Sequence, residues 1–108
     1  MTNSDQRKRR EDLIADLRKI GTGWTPDTAA LAEAPLLDQW SFVVYPGTSD
    51  LAMQGVVAGH PRLPDGPVTT SPIMALDLPA RWMRTHGRFY RLGRRDIRHE
   101  CDSADRTA

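Results

Sequence analysis

All eight prolines of this 108-residue chain lie between Pro26 and Pro79, so a long helix can form only outside that window. The middle must therefore be short elements joined by tight turns. A chain of this length supports one domain with one modest core. Apolar runs stop after a handful of residues, as at Phe42 to Tyr45, which leaves neither a membrane span nor the apolar stretch of a signal peptide. The expectation is a soluble cytoplasmic protein with no membrane contact. The single cysteine, Cys101, cannot close an intramolecular disulfide or supply a thiol framework for zinc.

Before the prolines begin, residues 5–20 read as an amphipathic helix: Asn3 or Ser4 caps it, Leu13, Ile14, Leu17 and Ile20 share one face, and Gly21 ends it. Thr25-Pro26-Asp27 offers a capping hydroxyl, a proline at the first helical position and a carboxylate in the first turn, predicting a short helix over 26–33. Pro35 drives Ala34 out of the helical region, and Leu36 and Leu37 are expected in a turn or a new helical turn, with the helical part ending near Asp38. From Trp40 onward β-branched and aromatic residues alternate with turn dipeptides, which predicts strands at 40–45, 51–58, 67–76, 81–86 and 88–92. Pro72 inside the third of these implies an edge position or a bulge. The fold class is α+β: an N-terminal amphipathic helix and a short second helix packed on a small curled antiparallel sheet of about five strands. Residues 1–93 form the single domain, and 94–108 a polar C-terminal tail expected to be partly disordered.

The net charge of +1 conceals a division along the chain. Residues 1–19 carry six bases and four acids, whereas residues 20–80 carry only Arg62 against six acids. Residues 81–99 then hold seven arginines (81, 84, 88, 91, 94, 95 and 98) against Asp96 alone. In that segment Arg81, Arg84, Arg88, Arg91, Arg94, Arg95 and Arg98 are interleaved with Trp82, Phe89 and Tyr90, a mixture suited to phosphates and unpaired bases or to a protein partner. The competing reading makes the aromatics core and the arginines a solvated rim that neutralises the acidic middle. In the first helix, Arg7-Lys8-Arg9-Arg10 reads as a phosphate-binding arm or as an ordinary wet face, with Asp12 set to pair with Lys8.

The string from Gly55 to Gly93 contains Gly59-His60-Pro61, Asp65-Gly66, Thr70-Ser71 and, after a spacer, Thr85, Gly87, Tyr90, Leu92 and Gly93. This pattern resembles a domain-of-unknown-function family of small proteobacterial, phage and plasmid proteins, over roughly residues 13–93. The resemblance implies an accessory or mobile-element origin and no known activity. Read physically, Pro61 holds His60 extended, Asp65-Gly66 makes a turn, and Thr70 and Ser71 bond across strands or to loop backbone. His60, Asp65 and Ser71 have the residue types of a nucleophilic triad but lack its strained serine turn and its oxyanion loop. His99, Glu100 and Cys101 are metal-ligand types too close in sequence to share one ion. No phosphate-cradling or dinucleotide motif is present, so no catalytic residue, metal or cofactor is assigned. The functional expectation is a non-catalytic accessory module that binds a protein partner and modulates host machinery such as a defence complex. The alternative is a single-stranded nucleic-acid or RNA binder using residues 81–98.

Overall fold

The computed structural model describes residues 3–96. Two helices, α1 (Asn3–Gly21) and α2 (Thr28–Glu33), precede six strands: β1 (Leu36–Val44), β2 (Leu51–Ala58), β3 (Gly66–Thr69), β4 (Ile73–Asp77), β5 (Trp82–Thr85) and β6 (Phe89–Leu92). The chain is α+β, with the long and the short helix where the sequence placed them. No helix of the described residues is long and apolar enough to cross a membrane.

The local boundaries move for identifiable reasons. Helix α1 closes on Gly23 rather than Gly21: Trp24 N–H donates to Lys19 O and Gly23 N–H to Ile20 O, with Gly23 at φ +97°. This is a left-handed cap that favours glycine. The cap of α2 is Asp27, not Thr25, because its carboxylate accepts the Ala30 N–H at 2.8 Å, which moves Pro26 outside the helix. Ala34 is extended, as the following proline requires, but the chain then enters β1 at Leu36 with no further helical turn. Leu36 and Leu37 are strand residues, and Leu37 is wholly buried.

The sheet has the order β3-β2-β1-β6-β5-β4. It has six strands instead of five and is mixed, since β1 and β6 run parallel through Leu36–Arg91 and Leu37–Leu92 while the other pairings are antiparallel. The predicted strand over 67–76 is two strands, broken at Thr70-Ser71-Pro72, and its halves lie on opposite edges of the sheet. A flat sheet of six strands would set its edges about 24 Å apart, whereas a link from Thr69 to Ile73 reaches about 14 Å at most. The sheet must curl, and it curls without β3 and β4 pairing. Pro72 fits at this corner because its carbonyl accepts the His86 N–H and it has no N–H to leave orphaned.

Residues opposed in an antiparallel ladder share a face. Met83 faces Tyr90 and Leu76, and Met53 faces Phe42, so one concave face gathers Leu37, Trp40, Met53, Val57, Met83, Tyr90 and Leu92 into the core. On the opposite face Trp82 lies beside Arg91 and Arg84 beside Phe89. The helices cover that outer face instead of roofing the open one. The Arg84 Nε–H donates to Asp16 Oδ2 of α1 at 3.0 Å, and the Arg91 Nε–H donates to the Ala34 carbonyl after α2. Trp24, Phe89 and Trp82 continue the contact as a chain of rings with centroids 6.2 and 5.7 Å apart. Of the predicted apolar stripe of α1 only Leu13 is buried, Leu17 and Ile20 are half-buried, and Ile14 is 44% exposed.

Candidate functional site

The arginine and aromatic segment divides in two in the fold. Trp82 is 2% and Arg84 3% exposed, so neither is presented to a partner. Arg84 is spent on Asp16, on the Thr85 carbonyl and on the face of Phe89, 5.4 Å from the ring centroid. Arg91 holds the end of α2, and Phe89 is half-buried between Trp24 and Trp82. These four are structural because β5 and β6 are covered on both faces, which alternation within a single strand does not reveal. Arg98 and residues 97–108 of the predicted tail lie outside the described residues, whereas residues 94–96, expected to belong to that tail, continue the sheet: Trp40 N–H donates to Arg94 O and Asp96 N–H to Trp40 O.

Three of the predicted residues do converge. Arg81, Arg94 and Arg95 surround a cavity of about 290 Å³ whose floor includes Trp40, Leu78 and Leu92. Each is positioned by backbone. Arg81 stands in the left-handed region at φ +62°, fixed by its N–H donating to Leu78 O and its carbonyl accepting from Leu92 N–H. A non-glycine residue there carries strain of about 1–3 kcal/mol, which its neighbours must hold in place. The Arg94 N–H donates to Asp38 Oδ1 at 2.7 Å, and that bond, with the Gln39 backbone, holds the Asp38 carboxyl below the usual carboxylate range. Gly93 permits this approach, since a Cβ there would stand 2.5 Å from the same oxygen. The Arg95 guanidinium lies 5.3 Å from the ring centroids of both Trp40 and Phe42, and Trp40 Nε1–H donates to Gly93 O. Leu78 in the cavity lining and Leu76 of the adjoining β4 are each 38% exposed. Sequence reasoning missed them as site residues because only the sheet order makes β4 an edge. The signal was nevertheless present in the apolar run from Ile73 to Leu76.

The glycine, histidine and proline motif is a self-closing loop. His60 Nδ1 accepts the N–H groups of Arg62 and Leu63 at 3.0 and 3.1 Å, and Asp65 Oδ1 accepts the Gly59 N–H at 3.1 Å. Pro61 is exposed within it, and Gly66 opens β3 at φ +150°. Both side chains satisfy backbone donors that no strand can reach. The His60 ring rests 6.2 Å from that of Tyr90, and burial, then the charges of Arg88 and Arg62, lower its pKa from the ordinary 6.5. Thr70 is buried, accepting the Met53 N–H and donating to Ser71 O, so it staples the corner between the sheet edges. Ser71 lies instead beside α1, lining a cavity with Arg9 and His86. Among the described residues no group of three or more His, Cys, Asp or Glu side chains is placed to hold a metal ion.

The neutral imidazole that accepts two N–H groups makes acid unfavourable to this loop. With the folded pKa depressed, the loop's stabilisation is full above the unfolded value of 6.5 and is lost as pH falls below it toward the lowered folded value. The urea midpoint is expected to drop between about pH 7.5 and 5.5, and His60→Asn, which keeps an acceptor and does not titrate, is expected to remove His60's share of that slope.

A family model, that of the family of unknown function DUF6634, matches residues 11–107, a span that includes this loop and the turn at Gly93. The chain belongs to DUF6634. The match runs past the last described residue, so the family's common pattern includes the segment after β6 as well as the sheet. No curated protein and no solved structure matches it. The DUF6634 match covers the whole of the arginine cavity, from Trp40 to Arg95.

Proposed function

We propose that this DUF6634 chain is a non-catalytic accessory protein of the cytoplasm that binds a protein partner, taking an extended apolar and acidic segment of it along β4 into the arginine cavity. The observation that carries this reading is the meeting of the exposed apolar rim of β4 with three converging arginines at Leu78. An edge strand offers unpaired backbone groups to an added strand, and alternate side-chain positions then supply specificity. The other edge is blunted by Pro67, which lacks a donor, whereas β4 from Ile73 to Asp77 contains no proline and one charge. Guanidinium groups recognise carboxylates through paired hydrogen bonds, so the partner segment should turn acidic where it passes Leu78. A mobile-element setting and an effect on host machinery belong to the same proposal.

The test uses labelled peptides of alternating apolar residues, with an acidic, neutral or basic end, read by fluorescence anisotropy. The acidic-ended set is expected to bind, and Arg81→Glu with Arg94→Glu to weaken it by about tenfold or more, through reversed charge at the cavity. Amide exchange of β4 should slow on binding. Equal binding of basic-ended peptides, or no peptide binding with the fold intact, would refute the reading.

A further inference from the structure

On the far side of β5, α1 and the β5–β6 hairpin enclose two cavities of about 380 and 370 Å³ that share Arg9 and Gly87. Arg10 and His86 line the first, and Lys19 and Arg88 the second. Among the described residues the acids that line the same cleft are Asp12 and Asp16, and Asp16 is already committed to Arg84. That leaves Asp12 against Arg9, Arg10, Lys19 and Arg88. Among the described residues none of these four cations has a carboxylate within salt-bridge distance, and Lys19 is held over the Trp24 ring, 5.0 Å from its centroid.

We propose that this cleft is a separate binding site for the phosphodiester backbone of a nucleic acid. Two adjacent cavities with their own cations and one shared arginine suit successive phosphates of a chain better than a single anion. The exposed run Arg7 to Arg10 on the same helix extends the positive surface beyond the cleft. Recognition is by backbone alone, because the aromatics that would stack on bases are occupied. Trp82 is buried, and Phe89, which reaches the cleft, has Arg84 over its ring with Trp24 and Trp82 against it. This separates the site from the base-stacking platform expected of residues 81–98, and its cations come chiefly from α1.

The experiment titrates the full chain against a labelled 20-nucleotide single strand and the matching duplex at rising KCl. Four phosphate contacts predict a log–log salt slope of about −3.6 for duplex and about −2.8 for single strand. Arg9→Ala with Arg10→Ala is expected to halve that slope and weaken binding by about tenfold at low salt, while Arg9→Lys with Arg10→Lys largely retains it. Arg62→Ala, at another exposed arginine outside the cleft, should change little. Helix content by circular dichroism and the urea midpoint establish that the variants fold. Undetectable binding at low salt, an unchanged slope in the double alanine variant, or an equal loss in Arg62→Ala would overturn the proposal. Displacement of the oligonucleotide by inorganic triphosphate at equal phosphate concentration would also overturn it, since the site would then not read a chain.

Discussion

Asp16→Ala is expected to lower the unfolding free energy by about 3–5 kcal/mol, the range for removing one partner of a buried ion pair. Arg84 is 3% exposed and its Nε–H has Asp16 Oδ2 as acceptor at 3.0 Å. Without that carboxylate the guanidinium keeps only the Thr85 carbonyl and the Phe89 face, and a buried charge is left uncompensated. The penalty is large because the group left behind, not the one removed, determines it. Replacing both partners, as in Asp16→Leu with Arg84→Met, should recover much of the loss, since an apolar pair of similar volume brings no charge out of water. Equilibrium urea unfolding of the two single variants and the double variant gives the coupling directly. If Asp16→Ala costs less than 1 kcal/mol, α1 is docked by its apolar contacts and the ion pair is incidental.

Leu37→Ala is expected to cost about 2–5 kcal/mol, the range for truncating a buried leucine. Leu37 is fully buried on the strand that both halves of the sheet share, opposite Val57 of β2 on one side and Leu92 of β6 on the other. Little nearby can collapse into the space left. Gly55 is the nearest candidate to fill it, but a Cβ at that position would meet the Asp38 carbonyl oxygen at 2.7 Å as well as the leucine, so Gly55→Ala should not rescue the truncation. The same urea measurement checks both. By contrast Ile14→Ala on α1, at 44% exposure, should shift the midpoint little.

The bond from Gly59 N–H back to Asp65 that closes the loop was not legible in the sequence, whereas the N-terminal helix, the short second helix, the extended residue before Pro35 and a turn at Asp65-Gly66 were. Each is set by residues within a few positions of one another: a capping carboxylate, a proline ring, a glycine. The role of the arginines was not legible in this way. Arg81 and Arg84 differ by three positions in one short segment, yet one lines an open cavity and the other is sealed beneath α1. Their fates diverge because β5 is an interior strand whose outer face happens to receive a helix from 68 residues earlier in the chain. The single predicted strand over 67–76 failed for the same kind of reason. Pro72 announced an interruption, but a break that sends the two halves to opposite edges of a curled sheet depends on partners far away in sequence.

Composition and local stereochemistry alone thus determined the α+β class of this chain, proline-confined to short strands in its middle and basic late in its length. Only the tertiary structure decided the parallel pairing of β1 with β6, the exposure of β4 as an edge, and which cations stay solvated. The physical reason is that a strand's register and its neighbours are chosen by burial of a shared face. That choice is a property of several distant segments together and is written in none of them singly.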